Sequence, residues 1–323
     1  MSISKFKIIK KQILLPLVVA ILSLTLASRA EQSGSAHYIP GATASFIDMT
    51  SDIPGVAAMN IFLDYNDANA DGIAGIPFGR AVALNVNANV TADSVFMMYT
   101  FETMILGGHY SFAAAPGYVA STIKATGTVD NRNRSISQTA QGFGDIEVWP
   151  VLLGWTNGDF KYDTRLAVYA PSGNYVAGNL ANVGLGYWTF EPEINFSWLS
   201  SKFGTEVSIF TGMDFNTKNT EADYQSGDIF HVDGTVAQHL PLFGGFAGVG
   251  VNASYLKQFT ADSGSGARLG SFEMLSEGVG PEVSYIHLFG TKQLAFEAKW
   301  LPQTRVENTL KGNFIWVKLA FLF

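Results

Sequence analysis

Nine charged residues fall at alternate positions within short runs of otherwise uncharged sequence: Asp145, Glu147, Lys161, Asp163, Arg165, Glu191, Glu193, Glu206 and Asp214. Side chains two apart share a face only in extended chain, so this spacing gathers acids and bases on one wall. Such a wall can line a polar pore, orient solutes and set selectivity. It can equally be a neutralised interior in which acids and bases pair with one another. His231 and Asp233 have the same spacing and the residue types of a general base and its partner. No G-x-S-x-G segment accompanies them, so a hydrolase reading rests on His231 alone. Asp67, Asn69, Asp71 and Gly72 match the first half of a calcium loop, with oxygen donors at alternate positions. The twelfth position is Phe78, where the bidentate carboxylate belongs. Asn, Asp and Gly also favour plain turns, so a weak calcium site competes with an Asx-rich turn. Cysteine is absent, which removes thiolate catalysis and sulfur-ligated metals. The residues predict no catalytic centre, no cofactor, and no metal site beyond that incomplete loop.

The elements that must carry these side chains are strands. In 186–198, Trp188, Phe190, Pro192, Ile194, Phe196 and Trp198 alternate with Tyr187, Thr189, Glu191, Glu193, Asn195 and Ser197. Val82, Leu84, Val86, Ala88 and Val90 alternate in the same way with Asn85, Asn87 and Asn89. A helix cannot make that separation. About twelve such segments recur, near 56–67, 78–100, 103–124, 141–155, 159–171, 183–199, 204–217, 227–240, 244–260, 272–287, 292–302 and 312–323. Many reach the roughly 9–11 residues that a tilted membrane strand needs. Their connections alternate in length. Tight turns are expected at Phe101-Glu102, Thr156-Asn157-Gly158, Ser200-Ser201-Lys202, Pro241-Leu242-Phe243 and Phe289-Gly290-Thr291. Long loops are expected near 67–78, 125–140, 171–183, 217–227, 260–271 and 302–311. Short turns on one side and long loops on the other are the habit of bacterial outer-membrane barrels. The expected fold is therefore all-β, a transmembrane up-and-down antiparallel barrel of about twelve strands, within a range of 10–14.

Composition agrees. Charged residues make up 15% of the chain and glycine 33 residues, against roughly a quarter charged in ordinary soluble domains. A Lys or Arg at the bilayer midplane of a barrel costs about 2–4 kcal/mol, so the apolar faces are expected outside and the charged faces inside. Trp149, Trp188, Trp198, Trp300 and Trp316 sit near strand ends and read as an aromatic girdle. Trp155 is a candidate for an inward, greasy substrate slot.

The chain begins as an address. Lys5, Lys7, Lys10 and Lys11 precede the apolar run Ile13–Leu26, and Ser28-Arg29-Ala30 offers small residues for cleavage after Ala30. Residues 1–30 therefore read as a signal peptide, 31–55 as an irregular tail or plug, and 56–323 as the barrel. Cleavage would remove five of 20 basic residues and none of 27 acidic ones, leaving a net charge of −12. That balance opposes nucleic-acid partners. The expected partners are outer-membrane lipid and lipopolysaccharide, and the barrel-assembly machinery, which would read the terminal Phe323 of an aromatic-rich last strand.

Several strings carry a family likeness. Gly144-Asp145-Ile146-Glu147-Val148-Trp149-Pro150, Tyr169-Ala170-Pro171-Ser172-Gly173-Asn174-Tyr175, Asn182-Val183-Gly184-Leu185-Gly186-Tyr187-Trp188 and His37-Tyr38-Ile39-Pro40-Gly41 resemble the outer-membrane family named for involvement in the meta-pathway of phenol degradation. The resemblance spans nearly the whole chain after residue 30. It implies a passive channel for small hydrophobic or aromatic solutes, located in the outer membrane of a Gram-negative bacterium. A structural or adhesive barrel with a closed lumen, and an outer-membrane hydrolase using His231, are the other two readings.

Overall fold

The computed structural model describes residues 35–70, 76–78, 81–83, 86–129, 132–267, 272–290 and 292–323. Among them are sixteen strands and one 3-10 turn, Phe46–Asp48. The strands are β1 (Gly55–Asn69), β2 (Ile76–Phe78), β3 (Ala81–Ala83), β4 (Val86–Ile105), β5 (Gly108–Ala115), β6 (Gly117–Val129), β7 (Arg132–Phe143) and β8 (Ile146–Asn157). They continue with β9 (Phe160–Ala170), β10 (Thr189–Leu199), β11 (Thr205–Asn216), β12 (Ile229–Leu242), β13 (Gly245–Gln258), β14 (Leu275–Phe289), β15 (Lys292–Glu307) and β16 (Lys311–Leu322). β2 and β3 form a separate small hairpin.

The rest make twelve staves. β5 and β6 are one stave interrupted at Pro116, which has no N–H for the ladder. β7 and β8 are another, interrupted at Gly144-Asp145. β4 pairs with both halves of the first, and the second follows it, β7 on β6 and β8 on β5. All neighbours are antiparallel. β1 pairs with β4 on one side and β16 on the other, so the sheet closes into a twelve-strand barrel. Closure removes every edge over that ring, the condition a sheet must meet in a medium that offers no hydrogen bonds.

The faces sort by cost. Ile194, Val249, Leu319 and Trp300 point outward and are 71%, 67%, 50% and 50% exposed. Glu206, Asp214, Asp233, Glu297 and Lys318 point inward and have no exposure. The apolar surface thus faces lipid, and the charged side chains lie in the interior.

Three details differ from the sequence reading. The turn after β4 lies at Leu106-Gly107, both in the left-handed region, at φ 53° and 80°, rather than at Phe101-Glu102. Residues 125–140 are mostly paired strand, Lys124↔Ser137 through Val129↔Arg132, and β15 likewise runs to Glu307 before β16 starts at Lys311. Polar sequence there looks like loop, yet both faces of a ribbon beyond the membrane can meet water. Finally, Val86 and Ala88 are buried inside while Asn87 and Asn89 are exposed. Period two separates two faces without saying which is outer. At the loop end of β4 the outer face meets water, so the amides take it.

Candidate functional site: the barrel interior

The charged wall is assembled by register. Arg165 on β9 lies opposite Glu193 on β10, and Asp163 opposite Asn195. β10 pairs with β11 at Phe190↔Phe215 and Glu193↔Gly212, an unchanged offset that sets Glu191 against Asp214. On β12, His231 lies opposite Gly212. Arg165 donates to Asp163 through Nε and Nη2 at 3.0 and 2.9 Å, and its Nε is 3.8 Å from Glu193. Asn195 Nδ2 donates to Asp163 at 2.8 Å and to Glu193 at 3.1 Å. Buried charge is tolerable only when paired and hydrogen-bonded, and this half of the wall meets that condition. Glu206 accepts from Ser208 and lies 2.8 Å from His239. Glu147, Glu191 and Asp214 complete the set on the inner face, with Glu191 and Asp214 fully buried.

A second buried cluster faces it from β15 and β16. Glu297 lies opposite Lys318 in register, and Lys299 is 3.0 Å from Glu297. Lys318 reaches Asp48 at 2.6 and 2.7 Å and Glu297 at 3.2 Å. The alternation Glu297, Lys299 and Lys318 is visible in the sequence, but nothing there shows that these residues converge on Asp48.

Asp48 belongs to the segment 35–53, which runs through the interior and bonds both walls. His37 lies 2.7 Å from Thr189 Oγ1 and 3.0 Å from Asp145. The Tyr38 hydroxyl donates to Asp233, whose other oxygen accepts from Gly41 N–H at 3.2 Å. Trp316 Nε1 donates to the Pro40 carbonyl, Ser45 to Glu297, Phe46 N–H to Glu206, and Thr50 N–H to Asp163. Arg165 donates to the Asp48 carbonyl at 2.6 Å. Asp48 also accepts from the backbone of Ala44 and Ser45, fixing the 3-10 turn. Lys161 meets Asp52 at 3.0 Å, half exposed. Burial pulls the Asp52 carboxyl up, but the Lys161 ammonium outweighs it and holds the group below the usual carboxylate range. Burial, with the Asp233 carboxylate beside it, pushes the Tyr38 hydroxyl well above the ordinary phenol range, so it stays a donor.

Between this segment and the barrel wall, from β1, β4 and β8 round to β15 and β16, lies a cavity of about 590 Å³ that opens to solvent beside Ile53 and Leu288. Ile39, Phe46, Met59, Leu63, Phe96, Met98, Trp149 and Leu152 supply an apolar lining, and Glu147, Arg165 and Glu193 a polar edge. That size and mixture suit a small organic molecule. The alternation argument assigns polar residues to the inner face and so misses this lining. The signal was present on β1 and β4, where both faces carry apolar residues.

Not all sequence-selected residues lie where expected. Trp188 and Trp300 are exposed outside, and Trp198 is partly exposed. Trp149 and Trp316 instead face inward, at 5% and 4% exposure. Trp316 shares the parity of Lys318, and Trp149 packs edge-on to Phe96 with ring centres 5.1 Å apart. Trp155 points away from the cavity: its Nε1 donates to the Leu106 carbonyl and its ring stacks on Tyr162, itself exposed. His231 and Asp233 are inward and buried. Asp67 and Asn69 end β1, with Asn69 Nδ2 donating to the Asp67 carbonyl; Asp71 lies outside the described residues. Phe323 is exposed, and its N–H donates to Val56 at 2.9 Å, at the seam of closure.

Comparison with solved structures places the fold among outer-membrane barrels. An outer membrane channel from Pseudomonas putida F1 superimposes with a TM-score of 0.55 at 11% identity, covering 85% of this chain and 97% of that one. The β-domain of the Bordetella autotransporter BrkA gives 0.44 at 10% identity, over 84% of this chain and 100% of the other. No functionally curated protein matches the sequence. A family model does match, over residues 70–319, most of the barrel. With its closed twelve-strand ring and lipid-facing apolar surface, the chain belongs to the outer-membrane β-barrel family described as "Putative MetA-pathway of phenol degradation".

Proposed function

We propose that the protein is a passive outer-membrane channel for small hydrophobic or aromatic compounds, with residues 35–53 as its plug. The observation that carries this reading is the largely apolar cavity of about 590 Å³ inside the barrel, between that segment and the wall that β1, β4 and β8 dominate. A polar pore for hydrophilic solutes needs no such lining, and a closed structural barrel gains nothing from leaving it unfilled. The channel described from Pseudomonas putida F1 has the same fold, which makes conduction a natural use of this architecture. On this reading the charged wall is a polar scaffold that anchors the plug, while the greasy side carries the solute. The signal peptide ends near Ala30, and the barrel-assembly machinery reads the last strand.

The test is uptake. A strain lacking the gene should accumulate radiolabelled monoaromatic compounds more slowly, with rates restored by the wild-type gene. Equal rates for every hydrophobic compound tried would end the proposal.

A further inference from the structure

Glu191, Asp214 and His231 come from three adjacent staves, β10, β11 and β12. One donor atom from each lies within 4.8 Å of the others. His231 Nε2 is 2.8 Å from Glu191 Oε1 and 3.8 Å from Asp214 Oδ1. Ligand atoms about 2.1 Å from a tetrahedral zinc ion stand roughly 3.4 Å apart, between those two values. All three side chains are at most 1% exposed.

The decisive feature is what these groups lack. Glu191 Oε2 has no hydrogen-bond partner, and the one donor beside the Asp214 carboxylate is the backbone N–H of Tyr38. Two adjacent buried carboxylates so poorly served are rare, because they lose their water and receive little in return. Nearby cations do not serve them, since Arg165 is engaged by Asp163 and Glu193. A divalent ion would lie between the two carboxylates and balance the charge of both. Gly212, on β11 two residues before Asp214, lets the imidazole lie against the strand. A Cβ there would stand 3.0 Å from Glu191 Oε1 and overlap His231 Nε2, so glycine is what admits the imidazole beside the two acids. Tyr38 roofs the site, its ring stacked on the imidazole at 3.5 Å and 14°.

We propose that Glu191, Asp214 and His231 form a binding site for a divalent transition metal of the zinc class, closed over by Tyr38. The single imidazole selects against calcium and magnesium, which take oxygen donors.

Folded full-length barrel, recognised by its heat-modifiable gel mobility, should be equilibrated with zinc chloride, desalted and assayed for zinc. Crystals soaked in the same salt should be measured at the zinc absorption edge. The expected results are about one zinc per chain and an anomalous peak between the three side chains. Tenfold excess calcium should leave the zinc in place. Asp214→Asn should reduce retained zinc at least tenfold. Gly212→Ala, which keeps every ligand but pushes the imidazole out of place, should do the same. Wild-type protein that retains no zinc, peaks confined to the outer surface, displacement by calcium, or undiminished zinc in folded Asp214→Asn would each overturn the proposal. Should the variants fail to fold, the position of the peak in wild-type crystals decides alone.

Discussion

Lys318 touches both the barrel and the segment inside it, through Glu297 and Asp48, and has no exposure to water. Removing one member of a buried ion pair strands the others and costs about 3–5 kcal/mol. Lys318→Met should therefore lower the temperature at which the barrel loses its compact gel mobility, and should raise single-channel conductance by freeing residues 35–53. Adding Asp48→Asn should recover part of the stability, since one of the stranded charges is then gone. The cavity can be probed as locally. Ala115 packs with Met98 and Trp149 at its edge. Ala115→Phe should slow uptake of aromatic compounds while the protein still folds, with an overpacking cost of about 1–3 kcal/mol; radiolabel accumulation and gel mobility read the two separately. At this scale the sequence reads well in parity and poorly in partnership. The even spacing of Glu191 and Glu193 puts both inside. That Asp163 accepts from Thr50, and that Asp214 lies beside the Tyr38 backbone, depends on a segment more than a hundred residues away.

The element that most shapes the interior is the segment 35–53, held by at least six side chains of the wall, Asp145, Asp163, Glu206, Asp233, Glu297 and Lys318 among them. Deleting residues 35–53 should leave the barrel folded, because no stave pairs with them, and should increase conductance several-fold in planar bilayers. Unchanged conductance would mean that the segment obstructs nothing. Strands were the easiest elements to read, since a membrane imposes strict alternation on them. Their ends were harder. Phe101-Glu102 lies within the stave, and the chain turns only where Leu106-Gly107 can adopt positive φ. Residues 125–140 look like loop for a different reason: Thr, Ser and Gln are tolerated on both faces of a ribbon that has left the bilayer.

As a whole molecule the chain is one closed sheet whose first and last strands meet, Ala57↔Leu322 through Asn69↔Lys311. Closure depends on the final strand, so Phe323→Ala should lower the fraction of protein that acquires heat-modifiable mobility in cells, with little effect on the conductance of molecules that do fold. N-terminal sequencing of the outer-membrane form should begin at Glu31 if Ala30 precedes the cut. The number of staves, their antiparallel order and the polarity of most faces could be read from the sequence alone. They follow from local rules, a period of two and a solvent that tolerates no charge. The sequence did not determine which inner faces are greasy, why Trp149 and Trp316 turn inward, or how residues 35–53 thread between two charged clusters. Those outcomes are contacts between the inner face of the ring and residues far away in sequence, most of them in the segment 35–53. Only closing the ring brings Asp48 to Lys318 and Tyr38 to His231, so only the tertiary structure could decide them.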